Sequence, residues 1–153
     1  NSSYRETTEE INRIIRAEEE MGLKTQIPYL NFVEKVHNHR TELCNVLKNI
    51  HDSGQTVFGY GASTKGNVIL QFYKLNSKKI VAAAERSPWK WGKYTVGSMI
   101  KCVSEKKARK AQPDYFLVLP YAFFKEFYLR EKKWRLKGGK FILPYPTFKI
   151  INK

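Results

Sequence analysis

The sequence predicts an α/β fold: a small Rossmann-like, mostly parallel sheet flanked by helices, with an N-terminal helical arm. Three observations carry this expectation. From Thr56 onward, short apolar runs alternate with helix-like segments, the order that builds right-handed strand–helix–strand crossovers. The run Tyr115–Leu119 is continuously apolar, as strands covered on both faces are. The first apolar pair, Val57–Phe58, enters a loop holding Gly59, Gly61 and Gly66 before a helix, and open α/β sheets bind ligands at such carboxyl ends of their strands. The expected division is an arm over 1–54 and a Rossmann-like domain over 55–153, one compact unit overall.

In the arm, Thr7 and Glu10 fit a capping box. Ile11, Ile14 and Ile15 then share one helical face, and Gly22 is the stop. A longer helix starts near Pro28, where Phe32, Val33, Val36, Leu43, Val46, Leu47 and Ile50 recur at three- and four-residue steps. Gly54 closes it. Val57–Phe58 reads as a buried strand, and Ser63 to Leu75 as a helix with Val68, Ile69, Phe72 and Tyr73 inward. Ile80 to Ala84 is a second strand, Ser87 to Gly97 an aromatic, glycine-rich loop, and Ser104 to Ala111 a short helix capped by Ser104. Tyr115 to Leu119 is the third strand, Tyr121 to Leu136 a helix stopped at Gly138–Gly139, and Phe141 to Leu143 the fourth strand.

With 153 residues, 42% of them hydrophobic and 14% aromatic, the chain can bury the core of one domain. It has no apolar run of about 18 residues, no visible secretory signal, and two cysteines, Cys44 and Cys102, at no metal or redox spacing. A reducing cytoplasm and no membrane partner are expected. The opening Asn1 suggests a piece of a longer protein, and Asn1-Ser2-Ser3 matches a glycosylation sequon at chance frequency. The net charge of +14 is graded along the chain: −1 over 1–50, +5 over 51–100 and +10 over 101–153. Such a surface attracts phosphorylated ligands or polyanions, or is simply a solvated lysine-rich face.

Backbone N–H groups in a glycine loop, with the positive end of a helix behind them, suit a phosphate or pyrophosphate. The spacing fits neither common pattern. Thr64 stands where a dinucleotide fingerprint needs its last glycine, and Thr64-Lys65-Gly66 reverses the Walker order. Ser63, Thr64, Lys65 and Asn67 offer partners for phosphate oxygens; alternatively Ser63 is only a helix N-cap and the glycines only a tight turn. Glu85, 24 positions after Gly61, stands where an acid could meet a ribose hydroxyl pair or pair with Arg86 or Lys90. Pro120 and Tyr121 fall on the same rim. Tyr94 and Trp89 offer stacking faces or packing anchors.

Four segments in order, "GYGASTKGN", "AAERSPWKWGKYTVGSMI", "PDYFLVLPY" and "GGKFILPYP", resemble the C-terminal domain of the S-adenosylmethionine-dependent sugar C-methyltransferases. Those enzymes methylate a carbon of a nucleotide-linked keto-sugar. The likeness covers roughly residues 20–150. It implies a zinc-binding domain and an S-adenosylmethionine domain elsewhere in the full-length protein. It also implies a Rossmann-like C-terminal domain that helps bind the nucleotide-sugar, its glycine loop near the diphosphate. Carried over, Gly59, Tyr60, Gly61, Ala62, Ser63, Lys65, Gly66 and Asn67 match the loop. Glu85, Arg86, Pro88, Gly92, Tyr94 and Gly97 match the second motif, and Pro120 and Tyr121 the third. With Thr64 beside them, the loop, Glu85, Arg86, Tyr94, Pro120 and Tyr121 form the expected substrate site. Two departures stand out: Tyr121-Ala122 replaces the family's usual Trp-His or Trp-Asn, which affects contacts to the sugar, and Ile100-Lys101-Cys102 replaces Ile-Pro-Ile, which is expected to affect only a loop.

The chain alone is expected not to catalyse methyl transfer. It has a single glycine loop. His37, His39 and His51 read as surface histidines, and no Cys-x-x-Cys or His-x-Glu supports zinc. Ser63 lacks a nucleophile elbow. The expected ligand is a nucleotide-diphosphate sugar, and the expected partner a domain that binds S-adenosylmethionine, in the same or a separate chain. An NAD(P)-binding module is the alternative that Glu85 allows and the glycine spacing opposes. A nucleic-acid-binding domain, suggested by the charge and by basic residues interleaved with aromatics over Phe123–Trp134, ranks below both.

Overall fold

The computed structural model describes residues 7–145 and 147–152; the Asn1-Ser2-Ser3 sequon lies outside them. Contacts group the chain into two compact units that divide between Asn38 and His39.

The first unit holds α1 (Thr8–Glu20) and the start of α2 (Ile27–Asp52). Thr7 sits at the N-cap of α1 but makes no side-chain cap bond. Glu10 binds Arg13 instead, through Nε at 3.0 Å, and that bond holds its carboxyl below the usual range. The capping box is therefore replaced by an ion pair one turn on. Gly22 ends the turn after α1 with φ +69°. No residue of α1 is buried; Ile11, Ile14 and Ile15 are exposed, as are Phe32 and Val33 at the start of α2.

The second unit is a six-stranded sheet in the order β3-β2-β1-β4-β5-β6. The strands are β1 (Val57–Tyr60), β2 (Ala83–Glu85), β3 (Cys102–Ser104), β4 (Tyr115–Val118), β5 (Lys140–Leu143) and β6 (Lys149–Ile151). The first five are parallel and β6 pairs antiparallel to β5. This is the doubly wound order, with its switch point between β1 and β4.

Both sheet faces are covered, which is why the strands read as unbroken apolar runs. On one face α2 (Leu43, Leu47, Ile50) and α3 (Thr64–Phe72; Ile69 and Leu70) pack on Val57, Tyr115, Leu117 and Ile142. On the other, α4 (Glu105–Lys110), α5 (Phe124–Arg130) and α6 (Lys132–Leu136) bring Ala108, Phe127 and Trp134 onto Phe58, Tyr60, Phe116 and Phe141.

Several expectations need correction. Val68 and Phe72 are exposed rather than inward; Gly66, Ile69, Leu70 and Tyr73 form the buried stripe of α3 and its cap. Gly66 fixes that face by lying against Leu119. Strands β3 and β6 go beyond the expected four, because runs of three residues give no periodic signal. Ile100-Lys101-Cys102 is no mere loop: Ile100 is buried, Lys101 bridges to Tyr94 and Cys102 opens β3. His39 is half-buried, its Nδ1 2.7 Å from the Tyr73 hydroxyl and its ring stacked on Tyr145 at 5.0 Å. Burial, then the bond to Tyr145, pushes the Tyr73 phenol up.

The expected helix over 121–136 is three pieces: a 3-10 turn (Tyr121–Phe123), α5 and α6. The break falls at Glu131, with φ −93° and ψ 22°. Its carboxylate is 1% exposed. It accepts from the Tyr60 hydroxyl at 2.6 Å and from Arg109 Nε at 2.8 Å and Nη2 at 2.6 Å. Removing one partner of a buried, hydrogen-bonded ion pair costs about 3–5 kcal/mol. Glu131→Ala is therefore expected to lower unfolding free energy by about 3 kcal/mol, read as a shift in the urea midpoint; a loss under about 1 kcal/mol would show that the network is ornamental.

Candidate functional site

Gly59 and Tyr60 are strand residues. Gly59 N–H pairs with Ala82 O at 2.9 Å, and Tyr60 buries its ring against Phe116 and Phe127. Burial, reinforced by Glu131, pushes the Tyr60 phenol well above its ordinary range. The loop proper runs from Gly61 to Ser63, and α3 starts at Thr64.

Most amides of this loop are used within the chain. Gly61 N–H donates to Ala84 O (2.8 Å), Ser63 N–H to Gly61 O (2.9 Å) and Asn67 N–H to Ser63 O (2.9 Å). Ala62 N–H donates to Glu85 Oε2 at 2.9 Å. Ser63 caps α3 by accepting from Gly66 N–H at 3.0 Å. Among the described residues, the Thr64 and Lys65 N–H groups at the helix start have no chain acceptor, as first-turn amides do. The glycines likewise have internal reasons. Gly61 has φ +80°, and a methyl there would meet Pro120 Cγ at 2.7 Å. One on Gly66 would lie 2.5 Å from Leu119 Cβ. They let the loop close on the end of β4.

Glu85 is the brace beneath the loop. Besides Ala62, it accepts from Ser87 N–H at 3.0 Å and from Lys90 Nζ at 3.3 Å. Lys90 also donates to Ala62 O at 2.9 Å. Sequence reasoning set ribose binding beside an ion pair for this acid; the geometry gives it the ion pair with Lys90 and two backbone amides.

A crevice opens on each flank of Ala62–Ser63, and Lys90 lines both. The first, about 300 Å³, takes in Gly61, Arg86, Pro120, Glu126 and Arg130. The second, about 350 Å³, takes in Thr64, Asn67, Lys93 and Tyr94. Ten of the expected site residues divide between them: Tyr60, Gly61, Glu85, Arg86 and Pro120 on the first, Thr64, Asn67 and Tyr94 on the second, and Ala62 and Ser63 on both. Gly59 and Gly66 lie beneath, buried. Lys65 is exposed outside either lining. Tyr121 stands toward Tyr145, ring centres 6.2 Å apart. The sequence did not single out Lys93, Glu126 or Arg130. Residues on α5 reach the rim only through the fold, and no local pattern marks them.

A sequence model described as the C-methyltransferase C-terminal domain matches residues 1–146. The chain belongs to this family. A curated relative, C-methyltransferase NovU of Streptomyces niveus, is 29% identical over 142 residues, which span 93% of this chain and 34% of the relative. The chain thus covers about a third of that protein's length. Among the described residues of this C-methyltransferase domain, no group of three His, Cys, Asp or Glu is placed to hold a metal, and no helix is long and apolar enough to cross a membrane.

Gly66→Ala is expected to destabilise the domain, since overpacking costs about 1–3 kcal/mol against about 1 kcal/mol gained in helix propensity. Gly61→Ala adds a strained left-handed residue, roughly 1–2 kcal/mol. Thermal unfolding of both variants checks this; unchanged midpoints would return the glycines to ligand approach as their reason.

Proposed function

We propose that this chain is the substrate-binding domain of a C-methyltransferase acting on a nucleotide-diphosphate keto-sugar. The observation that carries the reading is the pair of crevices at the switch point of a doubly wound sheet, joined by Lys90 and edged by Arg86 and Lys93. Doubly wound sheets bind their ligands at this place, and ammonium and guanidinium groups suit diphosphate oxygens. The exposed Thr64 and Lys65 amides add the helix-end contribution. The ring of Tyr94 forms part of the second wall, fit to stack a base or sugar. The expected loop residues thus act as a scaffold that shapes the crevices, with side chains from β2, the loop after it and α5 making the contacts.

S-adenosylmethionine, the methyl donor in this reading, belongs to a companion domain. Three bonds within the chain already occupy most of the acceptor capacity of Glu85, which weighs against it as the ribose-binding acid of a donor site or of an NAD(P) module. In the proposed arrangement the exposed Ile11, Ile14, Ile15, Phe32 and Val33 of the first unit meet that companion domain, and the protein works in the cytoplasm. Chemistry on the sugar carbon is assigned to groups outside this chain.

Calorimetric titration with UDP-glucose, dTDP-glucose and GDP-mannose tests the reading. Binding of at least one is expected, weakened several-fold by Lys93→Ala and less by Lys65→Ala, with little response to double-stranded DNA. A chain that ignores all three sugars, or binds DNA with steep salt dependence, sinks it.

A further inference from the structure

We infer that Glu126 is a built-in counterion of the first crevice, which an anionic ligand displaces from Arg86 and Arg130, so that this carboxylate sets the charge the crevice accepts. The inference rests on the proposed diphosphate reading and adds a specificity-determining residue to it.

The argument begins with a charge count. Three cations line the crevice, Arg86, Lys90 and Arg130, and three carboxylates, Glu85, Glu105 and Glu126. As built, it is neutral. A ligand bearing two phosphoryl groups gains little from a neutral wall, so a carboxylate must leave for the cations to act on it. Two of the three cannot leave cheaply. The Glu85 side chain is 10% exposed and held by Ala62, Ser87 and Lys90. The Glu105 side chain is 14% exposed and bonded to Arg109 at 2.8 Å and Arg130 at 3.0 Å.

Glu126 differs. Its side chain is 52% exposed, and its Oε1 alone takes both guanidinium groups, Arg130 Nη1 at 2.7 Å and Arg86 Nη1 at 3.3 Å. Arg86 is 75% exposed. Exposed ion pairs of this kind hold weakly, whereas a phosphoryl oxygen offers a guanidinium a charge-assisted, two-point partner. Arg130 keeps its place when Glu126 moves, since Glu105 and the Tyr60 hydroxyl, 3.3 Å away, also hold it. One fixed and one mobile guanidinium then face the ligand. Glu126 thereby tempers the pull of both guanidinium groups on phosphoryl ligands, most for those of highest charge, and keeps the empty crevice neutral.

The test titrates the 153-residue chain with pyrophosphate, UDP, UMP and uridine, comparing wild type with Glu126→Gln, Arg86→Gln and the double variant. Glu126→Gln is expected to tighten pyrophosphate and UDP roughly tenfold, the scale of one unit charge removed near a phosphoryl group at a partly solvated site. UMP should gain less and uridine nothing. Arg86→Gln should weaken the diphosphates, and the double variant should lose most of the gain. A purely structural strut predicts equal or poorer binding in Glu126→Gln, and that result, with wild type binding UDP, overturns the counterion alone. No diphosphate binding by wild type or Glu126→Gln overturns it together with the reading on which it stands.

Discussion

The buried carboxylate of Glu131 is the constraint on which much of the second unit depends. A charge this deep persists only where donors surround it, and its donors come from two distant segments: Tyr60 at the end of β1 and Arg109 on α4. To reach them, the chain leaves helical geometry at Glu131 itself, which divides α5 from α6. The bonded Tyr60 is the last residue of β1, directly before the loop to α3. Arg130, the neighbour of Glu131 and the last residue of α5, reaches Tyr60 and Glu105. Core packing and the crevice thus share Tyr60, which Glu131 holds and which lines the crevice wall.

The glycine loop shows how a pattern expected for ligand approach can also have reasons in packing. Gly61 and Gly66 stand at the switch point, as the pattern suggests. Their smallness serves contact with Leu119 and Pro120, and the loop amides mostly serve neighbouring carbonyls and Glu85. Among the described residues, the Thr64 and Lys65 amides at the helix start have no chain acceptor. In the proposed reading, the loop is the scaffold and side chains around it make most of the contacts.

The fold class was legible because its signals are local. Alternation of apolar runs with helical segments, Ser63 and Ser104 as caps, and Gly22 and Gly54 as stops all appear where expected. The strands lost to sequence reasoning, β3 and β6, are three residues each and take their identity from neighbours in the sheet. The half-buried His39 was misplaced on the surface because Tyr73 and Tyr145, 34 and 106 positions away, decide its surroundings. The same limit hid Glu126 and Arg130: charged residues on a helix look alike until the sheet brings one face to a strand end.

The margins of the sheet carry a last consequence. Beyond β3, the chain doubles back: Gly92 N–H bonds Cys102 O and Cys102 N–H bonds Lys93 O, at 2.9 and 2.8 Å. At the other margin β6 runs against the rest, only three residues long and starting with an exposed lysine. A strand from another molecule thus finds a margin already paired on one side and a short, charged one on the other. For so cationic and aromatic a polypeptide, guarded borders of this sort favour staying separate over stacking into aggregates.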